Sequence, residues 1–92
     1  MITAIVFVKA AVDQIPEVAE AIAAIDGVTE VYSVTGQIDL IAMVRARHHD
    51  DIAAVVADRL NKVSGVKETE THIAFRAYSR HDLESAFSLG LD

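Results

Sequence analysis

A chain of 92 residues with 52% hydrophobic content and no cysteine supports one domain with its own core and excludes disulfide frameworks, thiolate metal sites and cysteine nucleophiles. A formal charge of −6, with eight Lys and Arg scattered along the chain, excludes a basic stripe for direct contact with nucleic acid. The opening run from Met1 to Lys9 has no basic residue ahead of its short apolar stretch, so neither a signal peptide nor a membrane span is expected and the location read from the sequence is cytoplasmic.

Ile2 to Val8 is a β-branched, apolar run of strand length. Pro16, Glu17 and Glu20 then mark a helix start, Val18, Ile22 and Ile25 follow at helical spacing, and Asp26-Gly27 stops the helix. Val28 to Thr35 reads as a second strand, Gly36-Gln37 as a two-residue hairpin turn and Ile38 to Arg45 as the returning strand. Asp50 or Asp51 is placed to cap a second helix with apolar positions Ile52, Val55, Val56, Leu60 and Val63, ended by Ser64-Gly65. Thr69 to Tyr78 is the fourth strand. Gly65-Val66-Lys67-Glu68 echoes Gly27-Val28-Thr29-Glu30, so a strand-helix-strand unit is used twice.

The order βαββαβ predicts an α+β, ferredoxin-like fold, a four-stranded antiparallel sheet with two helices on one face and the first and third strands in the middle. Residues 1–78 form this domain. Residues 79–92 open with Ser79-Arg80-His81-Asp82, a variant of the capping box, and carry Leu83, Ala86 and Phe87 at helical spacing, which predicts a short C-terminal helix or arm.

Alternation along the central strands sets Ala4, Val6 and Val8 against Ile5 and Phe7, and Leu40, Ala42 and Val44 against Ile41 and Met43. Two helices cover one face only. Burying four or five large apolar side chains is worth roughly 1.5–3 kcal/mol each, so a second face left in water forfeits about 6–15 kcal/mol, comparable with a whole domain's stability. A homodimer packed through the open sheet faces, a dimeric α+β barrel, follows.

His48-His49-Asp50-Asp51 is the one dense group of metal-ligand types, but adjacent helical residues point apart and only His48 with Asp51 keeps a usable spacing. A helix start with acids near the positive end of the dipole accounts for it, so no metal is called for. No serine sits in a nucleophile elbow and the four glycines are dispersed, which leaves no phosphate loop. Neither a catalytic residue nor a cofactor is assigned.

Asp39 is the unusual residue. On the face shared by Ile41 and Met43, a carboxylate loses hydration when that face is covered, which costs several kcal/mol unless it is compensated. It can reach solvent at the strand end, pair with Arg45 or Arg47 of a neighbouring chain, or meet a small cationic group such as a ligand ammonium, with amides near Gly36-Gln37 free for a carboxylate.

The turn-strand Gly36-Gln37-Ile38-Asp39-Leu40-Ile41 and the later Gly65-Val66-Lys67-Glu68-Thr69-Glu70-Thr71-His72-Ile73 together resemble the effector-binding domain of the leucine-responsive regulatory protein/AsnC transcription factors, from about Ile2 to about Tyr78. The resemblance implies a ferredoxin-like homodimer that assembles into octamers or similar rings, with amino acids bound at clefts between dimers. It places Gly36, Gln37, Asp39, Thr71, His72 and Ile73 around that cleft and gives Asp39 the ligand ammonium as partner. His72 departs from the aromatic or apolar residue of the family pattern. Because the sequence starts at the first strand, it is similar to a stand-alone member whose output passes to a helix-turn-helix relative. An alternative from another class is a small dimeric α+β-barrel enzyme, such as a cofactor-independent monooxygenase, with His72 and Tyr32 as its polar groups; a third is a purely structural oligomerisation module.

Overall fold

The structure, a computed structural model, describes residues 1–78 and Arg80; the predicted arm over 79–92, Arg80 apart, lies outside the described residues. Strand β1, Ile2–Ala10, buries Ala4, Val6, Val8 and Ala10 and leaves Ile5 and Phe7 half-buried. A 3-10 turn, Val12–Gln14, leads into helix α1, Ile15–Ala23, where Pro16 occupies a first-turn position that needs no amide donor. Val18 and Ile22 of α1 face the sheet and are buried.

Strand β2, Val28–Ser33, and strand β3, Leu40–Ala46, form a hairpin. Helix α2 runs as α-helix over His49–Ala53, widens to π-helix over Ala54–Arg59 and tightens to a 3-10 turn over Leu60–Lys62. Ile52, Val56 and Leu60 of this segment are buried at intervals of four. A regular α-helix would rotate such a row by about 40° per step, and the wider turns hold it nearer the sheet. Strand β4, Val66–Ile73, completes an antiparallel sheet of order β2-β3-β1-β4. The fold is the ferredoxin-like α+β arrangement expected, with the near-continuously apolar strands in the middle and the more polar ones at the edges.

The core lies between sheet and helices. It joins Ala4, Val6, Val8, Leu40, Ala42 and Val44 of the central strands to Val18, Ile22, Ile52, Val55, Val56 and Leu60 of the helices. Among the described residues no polar or charged side chain is buried.

The repeated Gly-Val-x-Glu has a structural counterpart. Gly27, after α1, has φ +99°, and a Cβ on it would lie 2.8 Å from Val55 Cγ2 of the other helical segment; its carbonyl accepts from Arg45 N–H at 2.9 Å. Gly65, after α2, has φ +96°, and a Cβ there would lie 2.6 Å from both Val18 Cγ2 and Gln14 Oε1; its carbonyl accepts from Ala11 N–H at 2.8 Å. Each glycine therefore ends one helix, passes under a valine of the other and bonds to the end of the other unit's first strand. Only a residue without Cβ satisfies both the positive φ and the close approach.

Several boundaries differ from the sequence reading. The β2–β3 connection is not a two-residue turn: Val34 N–H donates to Asp39 O at 3.0 Å, which closes a loop over residues 35–38. The fourth strand starts at Val66 rather than Thr69 and ends at Ile73 rather than Tyr78, because Ala10 pairs with Val66, Ala4 pairs with Ile73, and β1 begins at Ile2. Strand length here is set by the partner's length. Neither Asp50 nor Asp51 caps α2. His48 holds the N-cap position with no side-chain cap bond, its carbonyl accepting from Asp51 N–H at 3.1 Å, and both acids sit in the first turn near the positive helix end.

Candidate functional site

The hairpin loop is fastened to the end of β1 by Asp39. Its backbone N–H donates to Val8 O at 3.0 Å, and its carboxylate Oδ2 accepts from Ala10 N–H at 2.9 Å. Val8 and Leu40 are the last Cα pair between β1 and β3, and the β1–β4 register shifts between Lys9 and Ala10. A side-chain oxygen thus takes over as acceptor where the ladder stops. This answers why a carboxylate stands at the entrance to an apolar strand: a backbone donor at a bulge needs an acceptor, and a charged acceptor makes the stronger bond. The sequence does not display that partner, because Ala10 lies 29 positions away. Gly36 has φ +110°, and a Cβ on it would meet nothing within 4 Å, so backbone conformation alone favours glycine there.

Beside this junction lies a groove of about 340 Å³ lined by Phe7, Lys9, Gln37, Ile38, Glu68, Thr69 and Glu70. The register sets Phe7 opposite Glu70 and Lys9 opposite Glu68, so these four share the open face of the sheet. Lys9 Nζ lies 3.7 Å from Glu68 Oε2 with both groups largely exposed, an ion pair that contributes little to stability but places both signs of charge in one groove. His72, next along that face, sits 3.3 Å from Glu70 Oε2 and tilts against Phe7 with ring centroids 5.1 Å apart. Thr69 donates its hydroxyl hydrogen bond to Asn61 Oδ1 at 2.7 Å.

The residues named from sequence fall into two groups. Gly36, Gln37 and Asp39 belong to the hairpin, and Gln37 lines the groove. Thr71, His72 and Ile73 lie on β4, across β1 and further along it, paired with Val6, Ile5 and Ala4. By that register His72 is on the open face, while Thr71 and Ile73 are on the helix side. Among the described residues, Gln37 is the one of the six that lines this groove. Phe7, Lys9, Ile38, Glu68, Thr69 and Glu70 also line the groove and are not picked out by the sequence; the β1–β4 register, which periodicity in either strand alone does not contain, brings together all of these but Ile38, which the hairpin loop supplies.

Tyr32 and His72, the polar groups of the enzymatic alternative, also lie on the open face, Tyr32 opposite Ile41 and His72 opposite Ile5. That reading needs a polar group between sheet and helices, where the described core is apolar. The Tyr32 hydroxyl donates to the Glu30 carboxylate, which holds the phenol above its usual pKa, with burial and the nearby negative charge adding in the same direction. Among the described residues no three His, Cys, Asp or Glu side chains group as a metal site, and no helix is long and apolar enough to cross a membrane.

With this geometry in place, comparison with known proteins identifies its family. The Lrp/AsnC ligand binding domain matches residues 3–83. The chain belongs to this family. An uncharacterised helix-turn-helix-type transcriptional regulator of Pyrococcus horikoshii is 46% identical over 59 residues, 64% of this chain and 39% of that protein. The crystal structure of a protein from Thermus thermophilus superposes with a TM-score of 0.81 at 44% identity, covering 87% of this chain and 100% of that one. A Neisseria meningitidis transcriptional regulator, solved in complex with L-Met, shares the fold with a TM-score of 0.76 at 17% identity, over 86% of this chain and 53% of that one. The Lrp/AsnC domain described here spans less than half the length of the curated relatives it matches, 39% in the first case and 49% in a regulator of Pyrococcus furiosus. These relatives are named as transcriptional regulators.

Proposed function

We propose that this Lrp/AsnC domain is a non-enzymatic, cytoplasmic amino-acid sensor that dimerises through the open faces of its sheets, assembles dimers into an octamer or similar ring, and binds effector at clefts between dimers. The observation that carries the reading is the open face itself. Ile5, Phe7, Ile41 and Met43 are only half-buried in one protomer although their strands are the central pair. A second sheet face is the cover that matches their shape and pattern.

Effector recognition is assigned to the hairpin residues Gly36, Gln37 and Asp39 and to Thr71, His72 and Ile73 of β4. Their separation within one protomer favours a site completed by a neighbouring copy. The Neisseria regulator of the same fold, solved with L-Met, supports the ligand class. Output passes to DNA through a helix-turn-helix family member. Ligand shifts the assembly only so far as it prefers one assembly state.

Thermal shift of the protein with each of the twenty amino acids, read beside sedimentation velocity, tests this. One or a few amino acids should raise Tm and change the sedimentation coefficient of a species larger than a monomer. A monomer at micromolar concentration that responds to none would overturn the proposal.

A further inference from the structure

One oxygen of Asp39 already has a partner within the chain. Its Oδ2 accepts from Ala10 N–H at 2.9 Å, and its neighbours in the chain are the groove wall: Gln37 and Ile38 precede it, while Phe7 and Lys9 precede Ala10. The bond is a cross-tie directly behind the groove, between the segment carrying one wall and the strand carrying the floor. Past this point the β1–β3 ladder has no further Cα pair, and β1 bulges against β4 between Lys9 and Ala10. The hairpin end and the bulged strand end are each irregular, and the carboxylate joins them.

We propose that Asp39 is a positioning residue: its carboxylate ties the loop that carries Gly36 and Gln37 to the end of β1, and effector is met by that loop and not by the Asp39 carboxylate. This rests on the effector-binding reading above and refines the part Asp39 has in it.

The two roles require different things of residue 39. A tie to an amide needs an oxygen acceptor, which Asp39→Asn keeps, whereas neutralising a ligand ammonium needs the charge, which Asp39→Asn removes. Amide exchange by NMR and the amino-acid thermal-shift panel are measured on the full chain as wild type, Asp39→Asn and Asp39→Ala. Asp39→Ala should speed Ala10 exchange by about tenfold or more, displace the Gln37 and Ile38 amide resonances and abolish the amino-acid response; Asp39→Asn should restore all three. An Asp39→Asn protein that protects Ala10 yet has lost the response overturns the proposal, because the charge itself then meets the ligand. So does an Asp39→Ala protein that keeps both Ala10 protection and the response. If the wild type responds to no amino acid, the sensing reading falls by itself. Ala10 exchange and the Gln37 and Ile38 resonances then decide the positioning role, which fails if Asp39→Ala leaves them unmoved.

Discussion

The two faces of the central strands are built from neighbouring residues and answer to different physics. On the helix side, Leu40, Ala42 and Val44 are fully buried by the chain's own helices, and on the other side Ile41 and Met43, of the same strand, are half-buried. One face is finished within the protomer and the other is left half-covered. Stability of the fold should therefore respond to the first face, and assembly to the second.

Leu40→Ala should separate them most strongly. It deletes most of a fully buried side chain and is expected to lower unfolding stability by about 2–5 kcal/mol, measured by urea denaturation at fixed protein concentration. Ile41→Lys should do the reverse. It places a charge on the open face, is expected to weaken dimerisation by about a hundredfold or more, roughly 3 kcal/mol, and should leave a folded monomer in sedimentation equilibrium. If Ile41→Lys unfolds the protomer at concentrations where the wild type is monomeric, the distinction between the faces is lost.

The glycines sharpen the comparison on a smaller scale. Gly65→Ala forces a Cβ to within 2.6 Å of Val18 Cγ2 at φ +96°, and should cost about 2–4 kcal/mol from strain and overpacking together. Gly36→Ala meets no neighbour within 4 Å and carries the backbone term alone, about 1 kcal/mol. Thermal unfolding of the two variants should rank in that order.

The smallest effect is expected at Tyr32. Its hydrogen bond to Glu30 raises the folded-state pKa above the ordinary value near 10, so its contribution to stability is fully present below the unfolded pKa and is lost as pH rises through the folded one. An ultraviolet titration of the phenol in Glu30→Gln should move the Tyr32 midpoint back towards the ordinary value, with no change in fold near neutral pH.

Much of the fold is legible in the order of residues. Alternation of Val6 and Val8 with Ile5 and Phe7 assigns the faces of β1, and the echo of Gly27-Val28 in Gly65-Val66 marks the doubled unit. The site is less so. Gln37 and Asp39 stand out through turn chemistry and an unexpected charge, but the Ala10 amide, Lys9 and Glu68 have no marker of their own. A cross-strand neighbour is chosen by register, and register is a property of two segments at once.

Side-chain periodicity within single segments was enough to set the order of elements, the central position of the apolar strands and the existence of a second apolar face. The hairpin loop over residues 35–38, the ends of β4, the π-helical stretch over Ala54–Arg59 and the bond from Ala10 to Asp39 emerge only in the assembled fold. Each of these depends on how far a partner segment extends or on which backbone donor is left without a ladder acceptor, and such demands arise only when distant parts of the chain are brought together.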